Sequence, residues 1–184
     1  MYVPAEDTFL LIKGLEQISK LGNVLEIGIG SGKVAEKLLD HVKTYVGVDI
    51  ELTTLKNVKE YLPDIELVCG DSAQCFIGAY FDTIIFNPPY LPSEDFVDIT
   101  VDGGIGGNEI LLKFLHDSFK IIKPNGVIFF VASSLSNLQE VQSFIRKNGF
   151  YCVEILNEHF IYETIYLFKC GRLLRPNFNN ISII

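Results

Sequence analysis

The stretch FNPPY, residues 86–90, closes an apolar run, FDTIIF (81–86), that reads as a buried strand. Proline lacks an N–H and fixes its own φ, so Pro88 and Pro89 cannot continue a ladder. Pro88 also drives Asn87 away from the helical region. The strand stops there, and the Asn87 side chain and neighbouring carbonyls, all hydrogen-bond acceptors, are presented in a stiff loop. An ordinary proline turn would look the same locally, so the choice falls to the rest of the chain.

Three carboxylates close three other apolar runs. The first run leads directly into LEIGIGSGK, in which Glu26 precedes glycines at 28, 30 and 32. Such glycines permit a tight turn and close approach of backbone to a ligand, and the following helix N-terminus favours an anionic or polar group. A dinucleotide site calls for G-x-G-x-x-G, but here the third glycine comes one position early and Lys33 follows it. A phosphate loop needs GK[ST], and GKV fails. An acid at Glu26 suits an ammonium group better than a pyrophosphate. Asp49 ends the second run, where a carboxylate can accept from both hydroxyls of a ribose. Asp71, in CGDS, ends the third and is placed to accept from an adenine amino group. An ammonium, a ribose and a base fit S-adenosylmethionine better than NAD.

Positioning these groups requires a particular set of elements. VLEIG (24–28), YVGVDI (45–50), IELVCG (65–70), FDTIIF (81–86) and GVIFFVA (126–132) read as strands. Phe9, Leu10, Ile12 and Leu15 mark a first helix, with Asp7 or Thr8 able to cap it. Val34, Leu38 and Leu39 mark a second helix, and Leu55, Val58 and Leu62 a third. Ile110, Leu111, Phe114, Leu115 and Phe119 mark another before the stop signal KPNG. Apolar strands alternating with helices predict a doubly wound parallel sheet. FYCVEIL (150–156) and ETIYLFK (163–169) are separated by only six residues, too few for a crossover, and should pair antiparallel. The expected fold is therefore an α/β, mostly parallel, seven-stranded sheet closed by an antiparallel C-terminal hairpin. One domain is expected over 1–170, followed by a loosely held tail, 171–184.

Composition sets further bounds. The 184 residues suffice for one substantial core, and 48% are hydrophobic. The net charge of −8 argues against a protein that tracks a nucleic acid backbone by itself. No apolar run reaches the roughly 18 residues of a membrane span. The first residues carry acids where a signal peptide carries bases, so a cytoplasmic location is expected. Cys69, Cys75, Cys152 and Cys170 form no CxxC pair and have no histidine at ligand spacing. They are expected to be buried thiols, not metal ligands or a disulfide framework. His41, His116 and His159 are scattered and read as surface or packing residues.

Across residues 20–132 the motif order resembles the class I methyltransferases, whose reversed last strand matches the terminal hairpin. In that fold the fourth strand ends beside the sulfonium methyl. Asn87 Oδ1 and the Pro88 carbonyl would then accept the two hydrogens of a substrate –NH2, while Tyr90 packs on the planar group carrying it. Such a clamp favours a pyramidal nitrogen whose lone pair points at the methyl. Glutamine side chains, adenine and cytosine all carry such a group, and the motif alone does not separate them.

YVPAEDTFLLIKGLE, LEIGIGSGKVAEKL, VGVDI, FNPPYLP, DGGIGGNEILLKFL and ETIYLFK together resemble the HemK-like glutamine methyltransferases. The similarity spans residues 2–169 and is strongest to the archaeal and eukaryotic branch acting on class I translation release factors. It implies methyl transfer from S-adenosyl-L-methionine, leaving S-adenosyl-L-homocysteine, to the side-chain nitrogen of the glutamine in the release factor's GGQ loop. By this resemblance the cofactor-binding residues are Thr8, Glu26, Gly28, Gly30, Asp49, Ile50, Asp71, Ser72 and Asn87, and Asn87, Pro88 and Tyr90 clamp the amide.

The short members of the family work with a small zinc-binding activator protein. The resemblance therefore suggests such a partner here, docking near the third strand, with Ile65, Leu67 and Val68 as candidates. Two departures stand out: Val3 replaces the acid of Y-E-P-A-E-D, and D-I-E-L replaces D-I-N-P after the second strand. The chain also shows no counterpart to the helical domain by which bacterial members hold the release factor. The loop 91–107 or a partner is expected to take that role.

An adenine-N6 methyltransferase acting on DNA or RNA uses the same clamp, but it normally needs a target-recognition segment or a basic face. A non-catalytic cofactor-fold subunit would often lose the clamp or the cofactor acids, and all are present here. The cysteine spacing gives no support to arsenic chemistry.

Overall fold

The seven apolar runs become the strands of one sheet in the computed structural model, which describes residues 5–89 and 108–173. The strands are β1 (Asn23–Ile27), β2 (Thr44–Asp49), β3 (Glu66–Cys69), β4 (Phe81–Phe86), β5 (Ile122–Ser133), β6 (Phe150–His159) and β7 (Thr164–Arg172). Their order is β3-β2-β1-β4-β5-β7-β6. The first five are parallel, and β7 lies antiparallel between β5 and β6. The expected architecture is therefore observed. β7 runs to Arg172, two residues into the segment expected as a tail; the tail from 174 onward lies outside the described residues, as do Val3 and the loop 91–107.

Alternation along the central strands divides the core into two layers. Ile84 and Phe86 of β4, with Ile128 and Phe130 of β5, pack beneath α4 (Glu109–Ile121) and α5 (Leu138–Lys147). Ile85, Phe129 and Val131 face the opposite layer, formed with α1 (Glu6–Leu15), α2 (Lys33–Leu38) and α3 (Leu52–Tyr61). Strands apolar on both faces are what such a covered parallel sheet requires.

Several local expectations are corrected. α4 ends at Ile121, just before the stop signal KPNG, but the strand already begins at Ile122 and not at Gly126. Ile122 pairs with Phe81 and Val127 with Thr83, so residues 123–126 form an irregular bulge inside β5. The turn chemistry is satisfied within the strand, as bulges allow. α1 begins one residue before Asp7, with Ala5 at its N-cap and no side-chain cap, so neither Asp7 nor Thr8 caps it. α5, which the sequence reading did not mark, buries Val141 and Ile145 with Leu138 and Phe144 packed beside them, and it is opened by Asn137, whose side chain accepts from the Glu140 N–H.

The cysteines also depart from expectation. Cys152 and Cys170 are cross-strand neighbours in β6 and β7 and are joined as a disulfide, while Cys69 and Cys75 are exposed. Pairing of the two strands brings together thiols 18 residues apart, which spacing alone did not indicate. No helix among the described residues is long and apolar enough to cross a membrane.

Candidate active site

β1 pairs with β2 on one side and β4 on the other, so chain order reverses around it. Open α/β sheets bind ligands in the crevice at such a switch point, outside the carboxyl ends of the strands. A cavity of about 320 Å3 lies there. Thr8, Glu26, Gly28, Gly30, Asp49, Ile50, Asp71, Ser72, Asn87 and Pro88 all line it. The fold thus gathers every expected site residue except Tyr90, which lies outside the described residues.

The turn after β1 explains the glycine motif. Gly28, Gly30 and Gly32 all have positive φ, between 52° and 73°, a region costly for residues with a Cβ. At Gly32 a Cβ would also run into the Tyr61 hydroxyl. The Gly28 and Ile29 N–H groups both donate to the Val48 carbonyl, tying the turn to β2. Asp49 fixes the turn from its other side: Oδ2 accepts from the Gly30 N–H at 3.1 Å and Oδ1 from the Glu51 N–H at 3.0 Å.

Glu26 is 4% exposed and accepts from the Tyr45 hydroxyl at 2.7 Å. Burial pushes its carboxyl up to about 8, against the opposing hydrogen bond from Tyr45 and with the added repulsion of Asp49. Burial and the adjacent Glu26 likewise hold the Tyr45 hydroxyl well above its usual range. A buried carboxylate of this kind gains most from a cationic ligand group.

Asp71 faces a cation supplied by its own chain. Lys113 of α4 reaches both Asp71 oxygens, at 2.6 and 2.5 Å. Ser72 beside it has φ of 58°, unusual for a residue other than glycine, and its buried hydroxyl oxygen has no hydrogen-bond partner among the described residues. Strained backbone of this sort concentrates at functional sites. Asn87 Oδ1, just past the end of β4, is likewise buried without a partner among the described residues. Unsatisfied buried acceptors cost about 1–3 kcal/mol each.

The cavity wall also contains residues that motif reading did not single out: Asp7, Lys113, Phe114 and Glu163. Asp7 Oδ1 accepts from the Thr8 N–H at 2.6 Å. Phe114 carried a signal only as part of a helical stripe, and in fact meets the Phe86 ring edge to face at 5.6 Å. Glu163 accepts from the Ser133 hydroxyl at 2.6 Å; no sequence spacing links β5 to the last hairpin.

A sheet of this order with this crevice defines a class I methyltransferase fold, and residues 24–100 match the family described as Methyltransferase domain. A solved structure of the E. cuniculi Mtq2–Trm112 complex, described as responsible for methylation of the termination factor eRF1, superposes with a TM-score of 0.79. It is 25% identical and covers 93% of this chain and 98% of its own. The N-methyltransferase NodS of Bradyrhizobium japonicum, solved with S-adenosyl-L-homocysteine, shares the fold at a TM-score of 0.63 and 15% identity, covering 90% of this chain and 88% of its own. A cofactor of the S-adenosylmethionine type goes with this fold.

MJ0928 of Methanocaldococcus jannaschii, provisionally named a protein N5-glutamine methyltransferase, is 37% identical over 161 residues, 82% of this chain and 81% of its own. The chain belongs to the protein N5-glutamine methyltransferase family.

Proposed function

We propose that this chain transfers a methyl group from S-adenosyl-L-methionine to the side-chain amide nitrogen of a glutamine, in the GGQ loop of a class I translation release factor, in the cytoplasm. The observation that carries the reading is Asn87 Oδ1, a buried acceptor without a hydrogen-bond partner among the described residues, on the wall of a cavity that also holds Glu26, Asp49 and Asp71. An amide NH2 supplies the donor that this oxygen lacks.

The residues fit the cofactor. Glu26 meets the ammonium group, Asp49 the ribose hydroxyls, and Asp71 with Ser72 the adenine, while Thr8, Gly28, Gly30 and Ile50 complete the wall. When bound, S-adenosylmethionine supplies an electrophilic methyl on a positively charged sulfur. Asn87 Oδ1 and the Pro88 carbonyl accept the two amide hydrogens and orient the nitrogen lone pair, with Tyr90 against the amide plane. Acceptors fixed in advance stabilise the charge that develops on nitrogen. No strong base is required, because the proton leaves after transfer.

A small zinc-binding activator of the Trm112 kind is the proposed partner. β3 is one of the sheet's two outer strands and, among the described residues, pairs with β2 alone. Of the three residues suggested by sequence, Ile65 is 1% exposed and belongs to the core, whereas Leu67 and Val68 are half-buried. Exposed Leu52 sits nearby at the start of α3 and lines a shallow groove with Ile65 and Leu67. The partner therefore docks on β3 and Leu52 without Ile65.

The test is transfer of labelled methyl, with the activator present, to an intact release factor, to the same factor with GGQ changed to GGA, and to duplex and single-stranded DNA. Label confined to the unaltered release factor supports the reading. Label on DNA alone overturns it in favour of an adenine methyltransferase.

A further inference from the structure

The hairpin joining β6 to β7 ends in Phe160-Ile161-Tyr162-Glu163. Ile161 is 90% exposed and Tyr162 is 89% exposed. Scattered exposed apolar residues need no explanation, but this pair is adjacent, rigidly mounted and placed at the active-site rim. Phe86 is in register with Phe130, and Ser133, three residues on, is in register with Ile165. The hairpin turn therefore projects from the same sheet edge as Asn87. Glu163, the next residue after the pair, lines the cavity itself.

The turn is held on both flanks. The Phe160 N–H donates to the Glu163 carbonyl at 2.8 Å. The Ser134 N–H donates to the Thr164 carbonyl at 2.8 Å, and the Thr164 N–H to Ser134 Oγ at 2.9 Å. With the Ser133–Glu163 bond, these contacts pin the turn to the end of β5. An apolar pair mounted so stiffly loses little further backbone entropy when it is covered.

Charge selects the occupant. From Phe150 to Glu163 the hairpin carries Glu154, Glu158 and Glu163 and no lysine or arginine. Such a surface repels a phosphate backbone and accepts a protein surface that is apolar at its centre and basic at its margin. We propose that Ile161 and Tyr162 grip the protein substrate beside its glutamine loop, setting which protein presents a glutamine to Asn87. The inference rests on the protein-glutamine reading of the site.

The test is steady-state methylation of an intact class I release factor, with the activator present, by the wild type and by the Ile161→Ser/Tyr162→Ser double variant. Affinity for S-adenosyl-L-homocysteine is measured in parallel. Both side chains are solvent-exposed, so the fold is expected to tolerate the change. The expected result is a KM for the release factor raised at least roughly tenfold, with kcat and cofactor-product affinity unchanged. If the wild type methylates the release factor and the variant keeps its KM, the hairpin inference alone is overturned. If the wild type binds the cofactor product but transfers no methyl to any release factor, the substrate reading is overturned and the inference with it.

Discussion

The Tyr45 hydroxyl donates to Glu26 Oε2 at 2.7 Å, joining two ionisable groups inside the protein. β1 and β2 bring them together: Glu26 pairs with Gly47, two residues from Tyr45 on the same strand. Because burial raises the Glu26 carboxyl from 4.5 to about 8, the folded chain keeps a proton that the unfolded chain releases. Between those values the folded state binds more protons, so stability falls as pH rises from about 4.5 to 8 and levels off above. At about 1.4 kcal/mol per pH unit the loss from this group is at most about 5 kcal/mol. Urea unfolding at several pH values should show that slope in the wild type and lose it in Glu26→Gln. An equal slope in both would place the titrating group elsewhere.

The same carboxyl links ligand binding to protons. A ligand ammonium requires the ionised form, so affinity for S-adenosyl-L-homocysteine should climb toward pH 8, by up to about tenfold per pH unit below it. Binding at neutral pH should release close to one proton. Calorimetry in buffers of different ionisation enthalpy measures that release directly. A pH-independent affinity with no proton released would remove Glu26 from the ammonium site.

Asn87→Ala should keep most of the cofactor affinity, which Glu26, Asp49 and Asp71 carry, and lower methyl transfer by roughly a hundredfold, the scale for losing one preorganised transition-state hydrogen bond. Equilibrium binding and single-turnover transfer separate the two effects. Unchanged turnover would refute the clamp.

Asp49→Ala acts on binding instead. It removes the proposed ribose acceptor and the anchor of the Gly30 and Glu51 N–H groups. Cofactor affinity should fall by roughly one to two orders of magnitude. Unaltered affinity would sink the ribose assignment.

Leu52→Glu places a charge on an exposed position beside β3 and should abolish co-purification with the Trm112-type partner while the isolated chain still binds the cofactor product. Retained co-purification would move the docking surface elsewhere.

What could be read from the sequence follows physical range. Glu26, Asp49, Asp71 and Asn87 each close a short apolar run, and parallel strands carry such residues to one edge whatever the details of packing. The first helix starts earlier than Asp7 and Thr8 indicate, because helix capping is a matter of one or two residues and Ala5 shows no chemical preference for the role. KPNG signals a turn equally well as a connection or as a bulge in β5, and only its partner β4 decides between them. Lys113 and Glu163 lay beyond reach because their roles come from tertiary neighbours, Asp71 and Ser133. The Cys152–Cys170 bond depends likewise on the register of β6 with β7.

The most direct measurement is tandem mass spectrometry of a release factor incubated with this chain, its activator and S-adenosyl-L-methionine. The expected result is one added methyl, fragment ions placing it on the side-chain nitrogen of the GGQ glutamine, and its disappearance with Asn87→Ala. A methyl mapped to any other residue, or one that survives Asn87→Ala at the wild-type level, would contradict it.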